Sequence, residues 1–410
     1  MKNGRYKLTP KRFLFMYLVI SMILGMYYLC YTGGECLKLI LQEADFCFMD
    51  FFNHIYYVKE PQCVYDVNFN ACFPPLAYML YWLLSRMIPV DGLAINDASS
   101  FTSYGILLFC IYHILMGILF YAVISGLLKS CGEKFCLLFT LLICVSNVFI
   151  FSVVWTGNAA LLACIVLLKA FELRDREDKR SRELALLLIA AAAGLKIYPA
   201  LFGIFYLKEK RYREAVRLII YGIVFFFVPF VFFGGVHGLF QMLKNQQQLH
   251  SVVYYGWRNI QAVWNQMDNR FLMMNMPIIG KILAGLYAVI AMTGGWILED
   301  KWKRLFLLCS IMIVVPSWSG SYTIIYLVLP LAYFLSGLRE QKTDYVYATL
   351  FAMMFSFFVW NIPAITDLTG DLSWVVRYVP IYMMGVMLAV ETIIAGCHLF
   401  LDGKLIRIKS

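Results

Sequence analysis

The chain has 410 residues, 62% of them hydrophobic and only 15% charged, with a formal net charge of +10. Soluble domains run at about 45–50% apolar and about 25% charged, so this composition excludes a soluble globular protein and leaves one embedded in the lipid bilayer. The positive balance does not argue for nucleic acid, because basic residues collect in the cytoplasmic loops of membrane proteins and report topology.

Apolar windows of about 18 residues or more, enough to cross a hydrocarbon core of roughly 30 Å, recur along the chain. No polar stretch is long enough for a separate soluble domain, so residues 1–410 read as one membrane domain. The first window, 13–31, follows Lys2, Arg5, Lys7, Lys11 and Arg12. It outruns a signal-peptide core and lacks a small-residue cleavage site, so it reads as a retained helix. A polar and aromatic loop, 32–101, follows on the outside. Within it, 73–90 is apolar but lies between Pro74-Pro75 and Pro89, which suits a re-entrant or interfacial element. With basic clusters as inside markers, helices fall at 102–128, 135–155, 156–171, 218–235, 277–298, 305–319, 322–338, 345–362 and 379–400, with further outside loops at 236–276 and 363–378.

One stretch conflicts with a simple count. Arg174–Arg182 and Lys208–Arg217 both read as inside, yet only 184–207 separates them. One helix cannot begin and end on the same side. A hairpin of two short helices resolves this, with its turn at Gly194-Leu195-Lys196-Ile197-Tyr198-Pro199 and the break at Tyr198, since proline disfavours α geometry in the preceding residue. The expected fold is therefore an all-α polytopic bundle of about twelve transmembrane helices with both termini inside. The turn carries Lys196, and a lysine at membrane depth costs about 2.5–3.5 kcal/mol on insertion scales, so it needs a partner.

The candidate chemistry lies outside. The first loop offers Glu43, Asp45, Asp50 and Asp66. A carboxylate there can take the proton from an acceptor hydroxyl; the plainer role is capping short interfacial helices. Lys196 reads as a contact to an anionic headgroup, or as a snorkelling side chain. Arg258, Arg270 and Arg377 are also expected outside, and Trp257, Trp264 and Trp318 are available to stack on sugars. His113 reads as a core hydrogen-bonding residue. The 12 cysteines include no CxxC pair; Cys36, Cys47, Cys63 and Cys72 fall in the first loop, where a disulfide is one option. No spacing supports a metal site, no cofactor is expected, and no nucleotide-binding fingerprint occurs. That points any transferase toward a lipid-carried donor.

Three segments carry a resemblance. The first is Asp45-Phe46 through Met49-Asp50-Phe51-Phe52-Asn53 to Val64-Tyr65 and Phe73-Pro74-Pro75-Leu76. The second is Gly194-Leu195-Lys196-Ile197-Tyr198-Pro199, followed by Lys208-Glu209-Lys210-Arg211. The third is Pro316-Ser317-Trp318-Ser319-Gly320-Ser321-Tyr322 with Pro330. In order and spacing these segments are similar to the GT-C superfamily of polytopic glycosyltransferases, and within it to the GT87 / DUF2029 group, related to polyprenyl-phosphomannose-dependent mannosyltransferases. The resemblance implies an aspartate base in the first loop, which is Asp50 or Asp45 with Asp50 favoured, and Lys196 facing the donor phosphate. Tyr198, Trp318 and Tyr322 lie within these segments and, with Arg258 and Asn259 of the expected outside loop 236–276, are the candidate substrate contacts. Gly320-Ser321 stands where relatives often have histidines, which argues against a histidine-assisted step.

The resulting expectation is a hexosyltransferase, with mannose the sugar of the named relatives. It would move one sugar from a polyprenyl-phosphate donor to an extracytoplasmic glycan or glycolipid acceptor by inverting displacement, in a bacterial plasma membrane with its site facing outside. A lipid-linked saccharide flippase is the main rival, since it too would use a broken helix and an isolated cation. The absence of a matching second broken helix argues against it. An O-antigen ligase or polymerase is a further alternative, because 236–276 contains Arg258, Arg270 and His250.

Overall fold

The computed structural model describes residues 8–34, 48–150, 156–251, 270–316, 321–337, 341–357 and 372–401, and every regular element among them is helical. α1 (Pro10–Tyr31) starts where Pro10 fixes the first helical φ and the Thr9 hydroxyl accepts the Arg12 N–H. Two short helices follow in the first loop, α2 (Met49–Tyr57) and α3 (Pro75–Ser85). At about 1.5 Å per residue α3 is only about 16 Å long, too short to cross a bilayer by itself. Cys63 and Cys72 carry free thiols; Cys36 and Cys47 lie outside the described residues.

α4 (Ser103–Leu127) is capped by the Thr102 hydroxyl, which accepts the Gly105 N–H at 3.0 Å. The single helix expected over 135–155 is instead α5 (Glu133–Cys144) and α6 (Asn147–Ile150). Ser146 breaks it: its hydroxyl donates to the Ile143 carbonyl and accepts the Phe149 N–H, so the side chain takes over bonds the helical ladder would make. α7 (Ala160–Leu173) follows.

The hairpin forms. α8 (Lys179–Leu195) stops at Lys196, whose backbone is extended (φ −147°, ψ 127°). The chain returns through a 3-10 turn, Tyr198–Gly203, and α9 (Ile204–Lys208), then runs out again as α10 (Tyr212–Phe227). Ion pairs hold both flanking basic segments at one end: Arg174 to Glu209, Arg211 to Asp175 at 3.9 Å, Arg182 to Glu214 at 3.7 Å and Arg217 to Glu183. The break falls at Lys196 rather than Tyr198, because Pro199 sits inside the first turn of the 3-10 segment, where its missing N–H costs nothing.

The expected loop 236–276 opens instead as α11 (Gly235–Ser251), whose mixed polar sequence hides it from any apolar window. The chain continues with α12 (Arg270–Ile297), α13 (Lys301–Val314), a 3-10 turn Ser321–Leu327 running into α14 (Val328–Ser336), α15 (Lys342–Met354) and α16 (Leu372–Leu401). Arg270 and Arg377, expected in outside loops, are helical.

By length and composition five helices among the described residues can cross a membrane: α1, α4, α10 extended to Phe232, α12 from Gly280, and α16 from Tyr378. Their apolar windows are only 22 to 33% buried, so they form an outer layer that presents Leu, Ile and Val to lipid. Inside them α7, α13, the 321–327 turn and α14 are buried almost all round; Leu305 through Cys309 are fully enclosed. A helix apolar on every side belongs in such an interior. Among the described residues the other elements are shorter than a crossing, because elements surrounded by protein need not match the hydrocarbon thickness. α7 packs on α4 and α8, α8 on α10, and α13 on α12 and α14.

Candidate active site

Asp50 stands in the first turn of α2. The chain enters that helix through Phe48, held at φ 64°, a left-handed conformation uncommon outside glycine. Two bonds tie α2 to the segment ahead of α7. The Phe51 N–H donates to the Thr156 carbonyl at 3.1 Å, and Asn158 Nδ2 donates to Asp50 Oδ2 at 2.8 Å. Asn158 Oδ1 accepts the Ala160 N–H at 3.0 Å. With its oxygen engaged there, the amide can offer Asp50 only its N–H face. Gly157 makes the approach possible: at φ 61°, a Cβ there would lie 2.6 Å from Phe51 Cβ and 2.9 Å from the Phe109 ring.

Burial pushes the Asp50 carboxyl above the ordinary aspartate range, while the Asn158 hydrogen bond and the Lys196 charge pull it back down. The two opposing influences define the site: an acid desolvated enough to hold a proton more strongly, with a donor and a cation that favour its ionised form.

Lys196 is buried, at 6% exposure. Among the described residues no carboxylate or carbonyl accepts a hydrogen bond from it. Its partners are aromatic: Nζ lies 3.3 Å from the centroid of the Phe73 ring and 5.2 Å from that of Tyr322. Ring faces attract a desolvated cation by about 2 kcal/mol, enough to offset part of the burial cost, and leave the N–H groups available to an anion. Phe73 itself packs against His54, ring centroids 4.1 Å apart and planes tilted by 36°, and is fixed by Tyr65, whose hydroxyl donates to the Phe73 carbonyl at 3.0 Å. Phe73, Lys196 and Tyr322 thus bring the three widely separated sequence segments to one point. Asp50 and Lys196 interact electrostatically without forming a direct ion pair among the described contacts.

Of the other expected site residues, Tyr198 is half-buried at the start of the 3-10 turn and packs against the core. Asp45, Arg258, Asn259 and Trp318 lie outside the described residues, as do Trp257 and Trp264. Asp66 pairs with His237 Nε2 at 3.0 Å, so it serves the loop. His113 is half-buried on α4, its Nδ1 bonded to the Phe109 carbonyl at 2.8 Å. Among the described residues no three His, Cys, Asp or Glu side chains converge as a metal site would require.

Two residues were missed in the sequence. Asn158 sits in Thr-Gly-Asn, a turn signature before an apolar run that marks a helix start and nothing more specific. Asn245, 2% exposed on α11, donates through Nδ2 to three first-loop carbonyls, Tyr65 at 2.8 Å, Ala71 at 2.9 Å and Asn68 at 3.4 Å. Gln246 adds a bond to the Cys72 carbonyl at 3.2 Å. α11 therefore clamps the stretch that ends in Phe73.

Neither the characterised proteins nor the solved structures contain a match to this chain. The family model described as "Glycosyltransferase family 87" matches residues 72–359. That range includes Phe73, Lys196 and Tyr322 and begins after Asp50. Covering well over half of an apolar, all-helical chain, the match shows that this membrane protein belongs to glycosyltransferase family 87.

Proposed function

We propose that the protein transfers one hexose, mannose being the sugar of the relatives it resembles, from a polyprenyl-phosphate donor to a glycan or glycolipid acceptor on the extracytoplasmic side of a bacterial plasma membrane. The observation that carries this reading is the buried Lys196 ammonium, held by two aromatic rings with no ion-pair partner among the described residues, near a desolvated aspartate. In this scheme Asp50 takes the proton from the acceptor hydroxyl. The acceptor oxygen then forms a bond to the anomeric carbon as the bond from that carbon to the phosphate oxygen breaks, and the phosphate leaves with the electron pair. Lys196 neutralises the charge that develops on it, usually a large term in such chemistry. One displacement gives inversion at the anomeric carbon. Tyr198, Tyr322, Arg258, Asn259 and Trp318 are the candidate substrate contacts in this scheme, and Asp45 is the reserve candidate for the base.

The test is transfer of radiolabel from polyprenyl-phosphate sugars to membrane lipid extract, with protein reconstituted in liposomes. Wild type should transfer label, and Asp50→Asn should lose about 10²-fold or more. Equal transfer by Asp50→Asn and Asp45→Asn would remove the first-loop base. Donor crossing the bilayer without any transfer would replace the enzyme with a flippase.

A further inference from the structure

At the end of the bundle away from Lys196, residues of α8 (Lys179, Arg182, Glu183) and of α10 (Tyr212, Arg213, Glu214, Val216, Arg217) line a groove of about 850 Å³. Four cations face two carboxylates there. Glu183 is taken by Arg217 and by the Tyr221 hydroxyl, and Glu214 by Arg211, with Arg182 at 3.7 Å. Among the described residues Lys179 and Arg213 have no ion-pair partner, and both are exposed. The groove therefore keeps two uncompensated cations.

An apolar track leads out of it. The groove uses the first residues of the Tyr212–Phe232 span, and Tyr212 and Val216 are 59% and 56% exposed. Continuing in steps of three and four residues, Ile219, Ile220, Ile223 and Phe227 are exposed along the same helix face. Cations at the end of a lipid-facing stripe match a phosphate headgroup joined to acyl chains. A free phosphate would use the cations alone, and a soluble acidic peptide would have no use for a stripe inside the membrane.

We propose that this groove binds the headgroup of an anionic phospholipid, its phosphate between Lys179 and Arg213 and one acyl chain along α10. The site is separate from the catalytic proposal and does not depend on it. By holding α8 against α10 it would brace the hairpin whose far end carries Lys196.

Native mass spectrometry of the full chain in detergent, titrated with phosphatidylglycerol or phosphatidylcholine, tests the proposal. Wild type should prefer phosphatidylglycerol about tenfold. Lys179→Gln/Arg213→Gln should lose that preference, and Lys179→Arg/Arg213→Lys should keep it. Lys129→Gln/Lys134→Gln, at another basic cluster, should also keep it. Retained preference in the first variant overturns the site. An equal loss in the Lys129/Lys134 control overturns it too, by showing diffuse charge attraction. Competition by soluble glycerol phosphate as strong as by the lipid would refute the acyl track. Both target side chains are exposed and without an ion-pair partner among the described residues, so the helical circular dichroism of the variants should match wild type.

Discussion

Lys196 and Asp50 make opposite demands on their surroundings, and each demand can be measured. An unpaired buried cation destabilises the fold that contains it. Replacing it by methionine keeps the contacts with Phe73 and Tyr322 and removes the charge. Lys196→Met should therefore melt at or above the wild-type temperature while losing about 10²–10³-fold in transfer rate. A lower melting temperature would make Lys196 a structural residue. In the proposed scheme the base must be ionised to take a proton, so transfer should fall as pH drops through the raised pKa of Asp50. The acid limb should thus lie above the ordinary aspartate value of about 4. Asn158→Ala removes a donor that favours the ionised form, so it should move that limb to still higher pH. A pH–rate profile unchanged by the substitution would separate Asn158 from the base.

Among the elements, the first loop owes its shape to partners distant in sequence. Asn53 and Asn96 pair reciprocally, side chain to side chain at 2.8 Å and backbone N–H to side chain at 3.0 Å, so α2 is fixed to the far end of the loop. Asn245 fixes the stretch between. Asn245→Ala strands three carbonyls and should cost about 1–3 kcal/mol, read as a lower melting temperature together with weaker donor binding as Phe73 loosens. Gly157→Ala forces a positive φ on alanine and drives its methyl into Phe51. It should lower transfer by displacing Asp50, with a loss of about 1–3 kcal/mol in stability. Wild-type transfer in Gly157→Ala would mean that the turn carries no positioning role.

Taken as a whole, the molecule is an outer layer of long apolar helices around shorter buried ones, locked at its basic end by a charge network. Arg174 is fully buried, bonded to Glu209 and surrounded by Phe171, Phe205 and Tyr206 at 4.9–5.4 Å. Lys301 reaches Asp175 and Arg211 reaches the Arg174 carbonyl at 3.2 Å, so α7, α9, α10 and α13 meet there. Arg174 Nε also lies 3.1 Å from Asp175, so Glu209→Ala takes away one of two carboxylates at a buried guanidinium and should cost about 3 kcal/mol, seen as a drop in thermal stability in detergent. A change within about 1 kcal/mol would mean that Asp175 alone satisfies Arg174.

What the sequence determined by itself follows from local chemistry. Apolar fraction dictates a membrane protein, and Lys/Arg clusters separated by one short apolar stretch dictate a hairpin, because a chain cannot leave basic residues at both ends of one crossing at the same face. Lys196 stood out for the same reason: a charge at that depth is costly wherever it points. Local chemistry could not say what holds that charge. Phe73 and Tyr322 are 123 and 126 residues away from it, and Asn158 is 108 residues from Asp50. Helix lengths were equally hidden, since elements sheltered by protein escape the length that lipid imposes on the outer ones. The amphipathic α11 passed for a loop because its buried face mixes Met242, set in the apolar core, with Asn245 and Gln246, which bond to backbone carbonyls, so no apolar window marks it. Tertiary structure decided these points because each is set by desolvation and hydrogen bonding between segments that meet only when the chain has folded.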